Sequence, residues 1–416
     1  MIYDMRSAEF LNDPYDVFRR MLKEAPVCRS KGIGEWAVAP YNEVKEIYTN
    51  ARFWSSKGWI RPGKMIKSSK KNPPTNTSMV AMDPPEHTRL RRIVAPVFTP
   101  RKMAAFAPVV QGVVDNLMNN IMAKDEFDFV KDFSMPLPMT VISLMLGVGE
   151  DKVEEFKSWS DLTFNTVAVT FMEGEERRKR EALIMDAARK MNAFLREKIA
   201  EKQQNPGDDL MSLIVHAKVD GESLEPREVL TMCTLLMVAG NETTQNAIGN
   251  MLLILRDQPE MLTLLRENPE KIDGFINECL RINPPVYGAM RRPAEDIEVC
   301  GTVIPKHGRV FALSAAANHD PSVFQDPSRF DPDRDNRKSM PFGWGVHICL
   351  GKDLALLEMK LGLQALLPEL ERMSIGPNTW LDSVMVRGPG SLPIIHRRRV
   401  VTPGARDSAT TPAPQP

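Results

Sequence analysis

The chain has 416 residues, 43% hydrophobic and 26% charged, with a formal net charge of zero. That balance belongs to a globular protein with a large core, and the neutral charge offers nothing global for nucleic acid. Five cysteines (Cys28, Cys233, Cys279, Cys300 and Cys349) are scattered without a CxxC pair, which disfavours structural zinc and fits a reducing compartment.

The opening Met1–Arg6 has no basic stretch followed by an apolar one, and no run is long enough to span a bilayer. Neither a signal peptide nor a membrane anchor is expected, and the chain reads as cytoplasmic. No internal repeat is visible. Helical periodicity dominates after about residue 85, while strand-like pieces are short: Glu35–Ala39, Ile297–Val299, Arg309–Leu313 and Ile394–His396. The predicted fold is mainly α with small peripheral β-sheets.

Lys57–Pro85, rich in Lys, Pro, Ser, Asn and Met, reads as a long loop, either functional or merely solvated. It runs into Met82-Asp83-Pro84-Pro85-Glu86-His87-Thr88-Arg89-Leu90-Arg91, a proline turn that opens a helix. His87 and Arg91 are i, i+4 neighbours there, able to grip one carboxylate or to form a solvated basic face.

Leu224–Gln258 reads as one helix, with Pro226 in its first turn and Pro259 beyond its end. Its centre, Ala239-Gly240-Asn241-Glu242-Thr243-Thr244, has poor helix propensity. Back-bonding threonines there predict a widened turn, where a small ligand could lie beside an acid–alcohol pair. The alternative is an ordinary buried helix with a glycine for close packing.

Glu278-Cys279-Leu280-Arg281 ends a helix before Pro284-Pro285 and puts opposite charges on one face among apolar neighbours. In the window Phe342-Gly343-Trp344-Gly345-Val346-His347-Ile348-Cys349-Leu350-Gly351, glycines allow close backbone approach to a thiol that directly precedes a helical pattern. A nearby helix N-terminus favours a thiolate, which could ligate a haem iron. A lone cysteine is otherwise a small buried hydrophobe. Beyond Val401 the tail lacks core-forming residues and is predicted to be disordered.

The cysteine window matches F-x-x-G-x-x-x-C-x-G at every fixed position, and the chain therefore resembles the cytochrome P450 superfamily, in its soluble bacterial form. The resemblance runs over roughly residues 10–400 and implies one P450 domain over 1–400, followed by the tail 401–416. It implies haem b with Cys349 as the iron ligand, within a loop that includes Phe342 and Gly343. His87, Arg91, Arg291 and His347 would contact the haem propionates. Ala239–Thr244 resembles the oxygen-binding helix, with Glu242 and Thr243 supplying protons. Glu278 and Arg281 resemble the E-x-x-R pair, which Arg329 from Asp326–Pro332 would complete.

The activity so implied is monooxygenation of a largely apolar small molecule: a terpenoid, steroid, fatty acyl chain or alkyl aromatic. Dioxygen supplies the oxygen atom. No G-x-G-x-x-G or cysteine-rich iron–sulfur segment is present, so a ferredoxin and its reductase would supply two electrons. Arg101, Lys102 and Lys352 are candidates for a docking patch. Candidate pocket residues are Leu235, Val238, Ala239, Val286, Ala289 and Leu392, with Phe164, Val167, Val169, Phe171 and Met172 as a lid. A peroxide-driven haem enzyme, a haem sensor or carrier, and a cysteine-nucleophile hydrolase remain as rivals.

Overall fold

The computed structural model describes residues 2–32, 34–57, 78–149, 153–164 and 174–397. Positions 58–77 of the long loop, 165–172 of the lid and the tail lie outside them. The helices that position the site are α1 (Glu86–Val94), α2 (Pro100–Met122), α3 (Pro136–Leu146), α4 (Pro226–Asp257), α5 (Ile272–Ile282) and α6 (Lys352–Leu366).

Local chemistry sets their ends. Pro226 occupies the first turn of α4, and Glu225 and Glu228 form a capping box around it. The helix stops at Gln258 before Pro259 and, at 32 residues, extends about 48 Å. Helix α3 ends at Gly147 with φ +72°, where an added Cβ would lie 2.5 Å from the Asp209 side chain. Helix α4 packs on α3, α5 and α6, and α6 packs in turn on α2. Their facing side chains, among them Phe133, Leu137, Met237, Leu252, Phe275 and Leu363, form the largest core.

A six-stranded sheet flanks the helices. Its strands are β1 (Ile2–Asp4), β2 (Val27–Lys31), β3 (Trp36–Val38), β4 (Trp54–Ser55), β5 (Ala289–Pro293) and β6 (Val310–Ala312), in spatial order β1-β2-β3-β6-β5-β4. Strand β6 runs parallel to β3 and antiparallel to β5, with Val310 opposite Arg291. Gly288 leads into β5 because a Cβ there would fall 2.0 Å from the Ala312 carbonyl oxygen.

The expected strands are present with trimmed or shifted ends. Ile297–Val299 pairs with Thr302–Ile304, and Pro393–His396 pairs with both Met373–Ile375 and Glu126–Asp128. Strands β1 and β2 escape sequence reading because they are short and half polar, so their pairing depends on the sheet. The widened turn expected within α4 is absent. The helix stays α-helical there, and a π-helical turn occurs instead at Val130–Ser134.

His319 clamps the end of α5: its ring Nε2 donates to the Ile282 carbonyl at 2.9 Å, and the ring packs on Tyr15 at 5.1 Å. Burial, helped by Arg281 and Arg19, lowers its pKa to about 4. The unfolded chain therefore binds a proton below about pH 6.5 that the folded chain refuses. Stability contributed by neutral His319 is present above pH 6.5 and lost as pH falls towards 4. Its full extent is on the order of 3 kcal/mol. Denaturant titrations across this range should show a shallower acid slope for His319→Gln than for the parent; equal slopes would contradict the assignment.

Candidate active site

The cysteine lies in a tight loop between β6 and α6. Gly343 N–H donates to the Met340 carbonyl at 3.1 Å, and Cys349 N–H donates to the Phe342 carbonyl at 2.9 Å. Gly343 and Gly345 both have φ +70°, and a Cβ on Gly345 would lie 2.5 Å from the Tyr48 carbonyl oxygen. Only glycine meets both demands at position 345. Gly351 caps α6, and its N–H donates to the Cys349 sulfur.

Cys349 has an accessible surface, yet burial is the largest influence on its thiol and pushes its pKa up. Protein atoms thus crowd a sulfur whose surface is still accessible. The Gly351 N–H and the Arg91 charge oppose that rise without cancelling it, so the helix terminus alone does not make a thiolate.

Four basic side chains meet beside this loop. Arg91 donates to the Ile348 carbonyl at 2.7 Å, and the His87 and His347 rings lie 4.2 Å apart. Arg291 is 6% exposed, donates to its neighbouring Met290 carbonyl and stands over the Tyr48 ring at 5.6 Å. No carboxylate forms an ion pair with Arg91 or Arg291 among the described residues. The nearest acid in this cluster, Asp83, accepts hydrogen bonds from Ser55 and Ser56. Burial and the charges of Arg291, His87 and Arg91 lower the His347 pKa to about 3. Burial also lowers that of His87, and its Nδ1 has no hydrogen-bond partner among the described residues. Both imidazoles are thereby kept neutral, so the positive charge rests on half-buried Arg91 and buried Arg291; buried positive charge without a counterion is costly, which suits this pair to an anion.

Helix α4 supplies another wall. It is buried on every side from Thr244 to Leu255, yet Ala239 is exposed, and Leu235, Val238 and Thr243 are half-buried. Small side chains at i and i+4 leave open space along this face. Thr243 Oγ1 donates to the Ala239 carbonyl at 3.1 Å, and Glu242 is 6% exposed. Asn241 is fully buried on another side of the helix. Val286 and Ala289 are half-buried after α5.

The thiol, the anion site and the open helix face give a reason to compare this chain with known proteins. Residues 55–374 match the cytochrome P450 family. The chain is 34% identical to cytochrome P450 107B1 of Saccharopolyspora erythraea over 92% of its length and 95% of the relative's. It is 32% identical to 6-deoxyerythronolide B hydroxylase of the same organism, over 94% and 98%. The solved structure of CYP109Q5 from Chondromyces apiculatus superposes with a TM-score of 0.84 at 32% identity, covering 95% of this chain and 98% of that one. The chain belongs to the cytochrome P450 family.

It is thus a P450 monooxygenase, whose family cofactor is haem. The residues present fit that group. Its two carboxylates match the Arg91 and Arg291 guanidiniums with two neutral imidazoles beside them, and an accessible thiol lies next to Arg91. The P450 fold also predicts a brace for the cysteine loop, and here the structure corrects the sequence reading.

Glu278 and Arg281 are fully buried and joined twice, Nε to Oε2 at 2.8 Å and a terminal nitrogen to Oε1 at 2.7 Å. Arg329 does not complete the set. Its side chain is 71% exposed and, among the described residues, reaches Asp331 at 3.5 Å rather than Glu278. Arg334 takes that place, with Nε 3.1 Å from Glu278 Oε1 and its other nitrogens on the carbonyls of Gln325, Asp326 and Arg329. Asn336 and the Asp331 N–H also donate to Glu278. The backbone turns at Asp326, φ +44°, so Arg329 lends its carbonyl to the interior and sends its side chain out.

Leu392 is a second correction. It is fully buried in the core, and its carbonyl accepts from Phe129 N–H. The segment beside Val286 is 385–387: Val286 bridges to Val386, and Tyr287 N–H donates to the Met385 carbonyl. Met385 packs with Tyr287 on the N-terminal core, so Val386 is the residue of this segment on the Val286 side, one that helical or strand periodicity could not reveal. Arg101 and Lys102 are exposed on the first turn of α2, while Lys352 lies over the Phe342 ring at 5.8 Å.

Removing Arg334 strips the buried Glu278 of one cation, and Arg334→Ala should destabilise the fold by about 3 kcal/mol or more. Arg329→Ala should cost less than about 1 kcal/mol. Urea unfolding of both variants decides between them; the reverse ranking would contradict this brace.

Proposed function

We propose that the chain uses haem b, with Cys349 as its axial ligand, to hydroxylate a largely apolar small molecule. The observation that carries this reading is an accessible thiol beside Arg91, while Arg91 and Arg291 have no carboxylate ion pair among the described residues. In this reading residues 1–400 act as one P450 domain. His87, Arg91, Arg291 and His347 would hold the propionates, and Phe342 and Gly343 shape the loop that carries Cys349. The bound haem activates dioxygen, with the thiolate's electron density helping to break the O–O bond.

The chain's own groups do the rest. Gly351 N–H and Arg91 stabilise the sulfur's negative charge. Thr243 presents its hydroxyl on the open face of α4, tethered to the Ala239 carbonyl. Glu242 stands next to it, and the pair passes protons inward as dioxygen is reduced. Leu235, Val238, Ala239, Val286 and Ala289 offer apolar surface that orients a substrate and excludes water. That surface supports a terpenoid, steroid, fatty acyl or alkyl-aromatic substrate. A ferredoxin with its reductase supplies the electrons, and Arg101, Lys102 and Lys352 favour an acidic partner.

Turnover with a ferredoxin system under isotopically labelled dioxygen tests the reading. One labelled oxygen should appear in the product. Thr243→Ala should lower product formed per reductant consumed by about tenfold or more. Product formed only with added peroxide, or unchanged coupling in the variant, would contradict the proposed roles.

A further inference from the structure

Two segments far apart in the chain meet at the His347 ring. Strand β4 pairs with β5, Ser55 opposite Arg292, and this brings Ser56 beside the cationic cluster. Ser56 is 1% exposed, and its Oγ lies 3.0 Å from His347 Nε2. The Met82 carbonyl also bonds the His347 ring. Next to Met82, Asp83 accepts the Ser56 N–H on Oδ1 at 2.7 Å and the Ser55 hydroxyl on Oδ2 at 2.5 Å. The Asp83 carbonyl accepts from His87 N–H at 3.0 Å, just where α1 begins.

One carboxylate thus fixes the end of β4 and the turn before α1. The ring held between them packs on His87, 4.2 Å away and tilted by 52°. His87 in turn keeps its buried Nδ1 without a hydrogen-bond partner among the described residues. Where an imidazole ligates a metal, loss of the hydrogen bond that orients it weakens binding by about 10- to 100-fold, and an imidazole that contacts another bound group is oriented by the same physics.

We infer that Asp83, Ser55 and Ser56 are positioning residues for the haem: the Ser56 hydroxyl, set by Asp83, fixes the His347 ring and through it the His87 donor. This rests on the haem reading proposed above. The three residues touch no haem atom by this account; they act through His347. Ser56→Ala isolates the key bond, because it removes the hydroxyl and keeps the backbone N–H on Asp83. His347→Phe keeps a ring against His87 and removes the nitrogen that Ser56 holds.

The test is the rate of haem transfer from holoprotein to excess apomyoglobin, with the reduced carbon-monoxide spectrum of each variant recorded first. Ser56→Ala should release haem about tenfold faster than the parent, with its thiolate spectrum retained. In the His347→Phe background, Ser56→Ala should change the rate less than about twofold, since coupled residues do not add. An unchanged rate for Ser56→Ala, or the same acceleration with and without His347, would overturn the inference. A parent protein without a thiolate-ligated haem spectrum would instead overturn the haem reading.

Discussion

The buried carboxylate of Glu278 is the interaction on which the site depends. It receives two bonds from Arg281, one each from Arg334 and Asn336, and the N–H of Asp331. Such a charge is tolerated inside a protein only when nearly all of its acceptor capacity is filled. The partners are consequently locked, and the locking propagates. Arg281 donates to the Asn318 carbonyl, Asn318 Oδ1 accepts Met340 N–H, the Met340 carbonyl accepts Gly343 N–H, and the Phe342 carbonyl accepts Cys349 N–H. A continuous hydrogen-bonded path thus runs from the buried pair to the thiol. Loop backbone alone would not hold a ligand atom in one place.

Helix α4 owes its rigidity to a different source, apolar packing on its neighbours, α3, α5 and α6 among them. Thr243 spends its hydroxyl proton on the Ala239 carbonyl, a bond that keeps the helix regular and the hydroxyl oxygen on the open face. The anion cluster lies to one side, where α1, β5 and the cysteine loop meet. Its residues come from these different elements, and the sheet register places Arg291 on β5 opposite Val310.

The sequence was legible where a local pattern sets geometry. Glycines at 343 and 345 take positive φ, Glu242 and Thr243 stand side by side within α4, and His87 and Arg91 share α1; each is visible in a few letters. What escaped depends on long-range geometry. Arg329 and Arg334 sit five positions apart in one polar stretch, and only the turn at Asp326 decides which guanidinium enters the interior. Leu392 was expected at a pocket wall, but strand pairing sends it into the core and brings Val386 beside Val286. Glu358 on α6 has no local signature either, yet burial holds its carboxyl well above the usual range. The role of Ser56 is equally invisible, since its hydroxyl meets His347 across 291 positions.

Ligation of haem iron by the Cys349 thiolate is the claim from which the others follow. The absorption spectrum of the reduced holoprotein under carbon monoxide tests it most directly. The expected result is the red-shifted Soret band of a thiolate-ligated haem, lost in Cys349→Ala. An intact, haem-loaded protein without that band, or one that keeps it in Cys349→Ala, would contradict the account.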